Sequence, residues 1–126
     1  MYEVAVEHVF AAGHALRNYR GGCENVHGHN FRVEVVFQGE ELDSAGLLVD
    51  FVEVQKLIAD VVSRLDHVFI NEVPPFDVLN PSVENMARYF HEEIAKELAK
   101  GNRENEVRVA QVTVWETDVA RAVYRS

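Results

Sequence analysis

The segment CENVHGHN, residues 23–30, crowds a thiol, a carboxylate and two imidazoles into one short stretch. His27 and His29 sit two apart at the entry to an extended segment, and side chains at i and i+2 of a strand share one face. Two imidazoles on one face can reach one metal ion, and Gly28 between them lets backbone lie close to whatever is bound. H-x-H alone also describes two surface histidines. A catalytic zinc site takes three protein ligands and keeps a fourth position open. His14, at the end of the strand expected to pair with this one, is the candidate third ligand. Four Cys/His ligands at zinc-finger spacing are absent. Zinc fits this donor set, and other imidazole-binding ions remain open.

Cys23 stands in a glycine-rich loop four residues before His27. A lone cysteine is commonly a small buried hydrophobe, but beside a cation its thiolate is favoured and it becomes a base or nucleophile. If it bound the ion itself, the site would close and be structural. Asp66 precedes His67 at the expected end of a helix, and an Asp–His pair orients and charges an imidazole for acid–base work. The alternative is a helix-end histidine meeting free carbonyls and the helix dipole. Glu116 ends a strand of apolar residues. A carboxylate there needs a partner, and the paired N–H groups of a guanine-like ring are one; an exposed edge charge is the other reading. His8 and His91 read as unremarkable, His91 as a surface residue beside Glu92 and Glu93.

Those groups have to be positioned by secondary structure. Residues 3–10 and 31–39 alternate like strands, with Phe31, Val33, Val35 and Phe37 on one face. Residues 13–28, rich in Gly and Asn, read as a long loop, and long loops in compact domains are often functional. Residues 50–65 carry a helical stripe behind Asp50 as N-cap. Pro74 and Pro75 break the chain, and a second helix is expected over 83–100, capped by Ser82 and ended by Gly101. Residues 106–116 and 120–125 read as strands. The order β-β-α-α-β-β predicts an α+β domain over 1–126, with two helices on one face of a four-stranded antiparallel sheet. Apolar residues on both strand faces point to burial of the other face in an oligomer.

Composition bounds the function. The 126 residues suffice for one domain with a real core, and 48% apolar with 26% charged residues is ordinary for a soluble protein. No apolar run reaches the about 20 residues of a membrane span, and MYEVAVEHVF lacks a signal-peptide layout. One cysteine excludes an intrachain disulfide and fits a reducing, cytoplasmic setting. A net charge of −9 argues against nucleic acid or an anionic membrane as main partner. An anionic small substrate stays open, because Arg17, Arg20 and Arg32 flank the opening stretch.

FAAGH (10–14), CENVHGHN (23–30), GLLVDF (46–51), LDHVFIN (65–71), NPSVEN (80–85) and WETDVARAVY (115–124) together resemble the 6-pyruvoyl-tetrahydropterin synthase / 6-carboxytetrahydropterin synthase family, in the family's order and over nearly the whole chain. The resemblance implies a tunnelling fold whose subunits assemble into an oligomeric β-barrel, usually a trimer stacked on a trimer. It implies Zn²⁺ on His14, His27 and His29. Cys23 is implied as the catalytic base, Asp66 and His67 as its acid–base counterpart, and Glu116 as the carboxylate gripping the pterin ring. Ser82 and Val83 fall on a pterin-lining segment where relatives often carry two hydroxyls, so a second hydroxyl contact is missing here. Arg17 and Arg20 are implied by loop position alone as cations for a leaving triphosphate.

Three residues, Glu24, Asn25 and Val26, separate Cys23 from the HGH motif. That spacing resembles the carboxy-forming, queuosine-pathway branch, whose reaction takes 7,8-dihydroneopterin triphosphate to 6-carboxytetrahydropterin, acetaldehyde and triphosphate. The pyruvoyl-forming branch tends to carry five residues there. Glu24 also makes an E-x-x-H-G-H pattern, similar to a branch that cleaves the side chain to 6-hydroxymethyl-dihydropterin; with Cys23 present, Glu24 reads as a loop residue. A zinc-containing pterin-binding protein without turnover is the non-enzymatic alternative.

Overall fold

In the computed structural model, which describes residues 1–126, the elements run β1 (Tyr2–His14), β2 (His27–Gly39), α1 (Phe51–Val62), a 3-10 turn (Ile70–Glu72), α2 (Val83–Ala99), β3 (Arg108–Thr117) and β4 (Ala120–Arg125). The four strands form one antiparallel sheet in the order β1-β2-β3-β4. The predicted β-β-α-α-β-β arrangement is the observed one. Both first strands outrun their expected ends, because β1 and β2 pair without interruption from Tyr2↔Gly39 to His14↔His27. The long loop therefore shrinks to residues 15–26.

Period-two patterning decides the layers. Phe10, Phe31, Val33, Val35, Phe37, Val112 and Val114 project from one sheet face and are buried. The helices supply Val54, Ile58 and Val61 from α1 and Met86, Phe90 and Ile94 from α2, all fully buried in the same cluster. Phe10 stacks on Phe31 at 4.9 Å and meets Phe90 edge-on at 5.7 Å, which locks the site end of β1 and β2 to α2. The caps are the expected ones: Asp50 accepts from the Val52 N–H at 2.9 Å, and Ser82 Oγ accepts from the Asn85 N–H at 3.2 Å.

His91 departs from its expected place. It is only 8% exposed, packed edge-on against Tyr124 at 5.1 Å. The helical stripe on α2 continues from Ala87 through His91 to Ile94, so the position belongs to the buried face; the flanking Glu92 and Glu93 made it look like surface. Burial pushes its pKa down, partly offset by a hydrogen bond to the Val109 carbonyl, and its Nε2 has no partner.

The sheet edges differ. At its site end β1 is covered by the turn after α1: the Gly13 N–H donates to Val68 O at 3.1 Å and the His67 N–H to Ala11 O, with a parallel bridge Gly13↔Phe69. The rest of the β1 edge, and the whole outer edge of β4, have no strand beside them.

Candidate active site

Pairing His14 with His27 at the last rung of the β1–β2 ladder, with His29 two residues on, brings three imidazoles to one corner of the sheet. Their ring centroids lie 4.6 Å (His14–His27), 4.8 Å (His27–His29) and 5.4 Å (His14–His29) apart. Glu116 arrives from β3. Its Oε1 is 2.9 Å from His14 Nε2, 3.2 Å from His29 Nε2 and 3.8 Å from His27 Nε2. One donor atom from each of the four residues lies within 4.8 Å of all the others.

The hydrogen bonds around the rings set what this corner can hold. His14 Nδ1 lies 2.8 Å from Pro81 O, and His27 Nδ1 3.0 Å from Asn25 O. A carbonyl only accepts, so each Nδ1 carries a proton and each Nε2 faces inward toward Glu116. His29 Nε2 is buried without a hydrogen-bond partner. Burial also pushes the His29 pKa down, with Glu116 opposing and the neighbouring histidines adding to the effect. Three inward imidazole nitrogens and a carboxylate oxygen converge there, an arrangement that can receive a cation. The donor set, imidazole nitrogen plus one carboxylate oxygen, suits a divalent transition metal.

The second pair lies across β1. Asp66 Oδ1 is 2.8 Å from His67 Nδ1 and accepts from the Ala11 N–H at 3.0 Å. The carboxylate is thus held by the strand that carries His14 and orients the imidazole beside it. His67 has φ +57°, left-handed backbone that residues with a side chain seldom adopt, and its ring is 81% exposed. His67 and His29 line one cleft of about 480 Å³, in which Gly13 and Gly28, paired across β1 and β2, present no side chains.

The other expected residues fall as follows. Cys23 is exposed in the 15–26 loop and is not among the donors of the histidine cluster. Glu24 beside it accepts from the Leu16 N–H at 3.0 Å and donates its own N–H to Leu16 O at 2.9 Å, so it closes the loop. Ser82 spends its hydroxyl on the α2 cap, and Val83 packs half-buried against the core. Arg17 directs its guanidinium at the carbonyls of Asn71 (3.2 Å), Phe76 (2.8 Å) and Leu79 (3.2 Å) rather than toward open solvent. Arg20 is exposed at a turn closed by Tyr19 and Gly22. Arg32 lies on the other sheet face, stacked over Trp115 at 4.0 Å. Sequence reasoning missed Asn71 and Asn80, whose amides bind the backbone leaving His14; their places beside Pro74 and Pro81 were the available signal.

A family model described as 6-pyruvoyl tetrahydropterin synthase matches residues 3–126. The chain belongs to this family. A 6-carboxy-5,6,7,8-tetrahydropterin synthase of Bacillus subtilis (strain 168) is 32% identical over 122 residues, covering 94% of this chain and 80% of that one. A dihydroneopterin monophosphate aldolase of Pyrococcus furiosus is 34% identical over 107 residues, covering 85% and 82%. Among solved structures, 6-pyruvoyl tetrahydropterin synthase of Caenorhabditis elegans superposes with a TM-score of 0.77 at 25% identity, over 100% of this chain and 97% of that one. The fold is thus the tunnelling fold of the family, and a pterin-processing enzyme is the class of function that membership gives.

Proposed function

We propose that the protein is a zinc-dependent 6-carboxytetrahydropterin synthase, converting 7,8-dihydroneopterin triphosphate to 6-carboxytetrahydropterin with release of acetaldehyde and triphosphate. The observation that carries the reading is the convergence of His14, His27, His29 and Glu116 on one point beside an oriented Asp66–His67 pair. The three-residue spacing from Cys23 to the HGH motif and the carboxy-forming names of relatives such as that of B. subtilis support this branch.

His14, His27 and His29 would hold the zinc, which when bound supplies Lewis acidity toward the hydroxyls of the substrate side chain. Cys23, as thiolate, takes a proton from that side chain. His67 handles the proton on the other side, with Nδ1 fixed by Asp66 and Nε2 left free. Glu116 offers a carboxylate to the ring's N–H pair, holding the ring so that its side chain meets the histidine corner. That carboxylate lies against the imidazoles of His14 and His29, at the corner where the side chain would meet the metal.

Assembly into a ring of subunits, stacked in pairs as a hexamer, is part of the same proposal. The free edge of β1 carries Glu3, Ala5, Glu7 and Val9, alternating with the residues bonded to β2. The free edge of β4 carries Arg121, Val123 and Arg125, because the Ser126 N–H points inward to Ala110 O. Four alternating strands closed by rotation set β4 antiparallel to the β1 of the next subunit. A register placing Ala5 opposite Val123 sets Glu7 opposite Arg121 and Glu3 opposite Arg125. Opposite charges paired across strands stabilise that register, and pairing removes both edges.

Side-chain cleavage to 6-hydroxymethyl-dihydropterin is the second reading. It is favoured by the aldolase of P. furiosus and by Glu24, whose Oε1 lies 3.9 Å from His27 Nδ1. Mass spectrometry of products from zinc-loaded protein and 7,8-dihydroneopterin triphosphate decides. A 6-carboxy product with acetaldehyde is expected; a 6-hydroxymethyl product would transfer the assignment to the second reading, and a 6-pyruvoyl product to the branch named for it.

A further inference from the structure

The chain leaving β1 past His14 has no neighbouring strand, yet its peptide groups are satisfied as though it had two. On one side Asn71 Oδ1 accepts from the Ala15 N–H at 2.9 Å, and its Nδ2 donates to Ala15 O at 2.7 Å. Asn80 repeats the pattern two residues on, accepting from the Arg17 N–H at 2.8 Å and donating to Arg17 O at 3.0 Å. On the other side Leu16 exchanges both its backbone bonds with Glu24. A carboxamide carries one acceptor and a donor group, as a peptide unit does. Two carboxamides at alternate positions thus stand in for the rungs of a strand.

Arg17 closes the clamp from the opposite direction with its three bonds to the carbonyls of Asn71, Phe76 and Leu79. Asn85 Nδ2 donates to Asn80 O at 2.9 Å, which ties the clamp to the first turn of α2. The groups at its ends are those the proposed chemistry needs. His14 precedes Ala15 and takes its Nδ1 contact from Pro81, next to Asn80. Cys23 precedes Glu24. His67 lies at the start of the segment that carries Asn71.

We propose that Asn71, Asn80 and Arg17 are positioning residues for the active site, acting as a side-chain surrogate for a missing strand that sets His14 against His27 and His29 and anchors the base of the loop that carries Cys23. Arg17 is then a carbonyl anchor and not a cation for phosphate. The inference rests on the reading of the histidine corner as a metal site.

The test measures Zn²⁺ dissociation constants of the full chain by chelator competition, without pterin, for wild type, Asn80→Ala, Asn71→Ala and Arg17→Lys. Apo-protein melting is recorded beside each, and Asn80→Asp serves where Asn80→Ala fails to fold. Ser44→Ala, which cuts an exposed contact to Glu104 far along the chain, is the control. Each clamp variant is expected to weaken zinc binding by about 10-fold or more, the usual scale for groups that hold a ligand, while Ser44→Ala binds as wild type. Lysine keeps the charge of Arg17 but not its planar fork, so wild-type zinc affinity in Arg17→Lys would overturn the role given to Arg17. Lowered melting with unchanged zinc affinity in all three would overturn the proposal and leave a structural loop tie. If His14→Ala binds zinc as tightly as wild type, the metal reading itself fails and takes this proposal with it.

Discussion

At the histidine corner the outer nitrogens of His14 and His27 are engaged by carbonyls and Nε2 of His29 has no partner, an arrangement that could receive a cation. Cys23 stands outside it, so its replacement separates chemistry from binding. Cys23→Ala is expected to retain zinc at the wild-type stoichiometry and to lose turnover by about 10²-fold or more, the range general acid–base groups supply. Metal analysis and a product assay on one preparation check both halves. His91 makes a different prediction. Its pKa is lowered in the folded state, so as pH falls through the ordinary histidine range near 6.5 the unfolded chain takes up a proton that the native chain resists. Stability is lost over that interval, down to the lowered native pKa. His91→Leu removes the effect: urea midpoints of variant and wild type should lie close together at pH 7.5, with the variant ahead at pH 5.

At the level of elements, the strands and helices act through their ends. The last rung of β1–β2 delivers two zinc-ligand candidates, the end of β3 delivers Glu116, and the turn after α1 delivers Asp66 and His67 to the β1 edge. The N-terminus of α2 is held by Ser82 and, through Asn85 and Asn80, fastened to the chain beyond His14. Ser82→Ala is expected to lower stability by about 1 kcal/mol, the usual cost of a lost N-cap, read as a shift of the urea midpoint with unchanged slope. These elements were legible from their patterns: period two in Phe31, Val33, Val35 and Phe37, and helical spacing behind Asp50 and Ser82. His14 was expected at the end of β1, but the regular pairing of Gly13 and His14 with β2 was not legible. Gly13 and the glycines of the following loop carry turn signals locally, and only the partner strand keeps Gly13 extended.

At the scale of the whole molecule, the sheet has two edges, most of β1 and all of β4, with no strand beside them. The charge pattern on those edges gives the assembly proposal a sharp test. Glu7→Arg is expected to shift the mass measured by light scattering toward the single chain, and the double variant Glu7→Arg with Arg121→Glu to restore the assembled mass. Retention of the full mass by both single reversals, Glu7→Arg and Arg121→Glu, would rule out the Ala5–Val123 register. The net charge of −9 adds to the cost of bringing copies together, so complementary edges matter more here than in a neutral chain.

Sequence by itself determined what is local or periodic: the order of elements, the buried face of each strand, the helix caps, and the H-x-H pair whose shared face follows from the pitch of a strand. It also placed His14 beside that pair, because a hairpin brings its two ends together. Tertiary structure alone decided what depends on distance along the chain. Glu116 is brought to His14 by β2–β3 pairing, Asn71 and Asn80 become strand substitutes only once residues 71–81 fold back over the end of β1, and His91, on the buried stripe of α2, meets Tyr124 only where β4 packs against that helix. Periodicity records which way a side chain faces within its own element. What it faces is set by the packing of elements on one another, and that information is spread over many residues rather than written at the position itself.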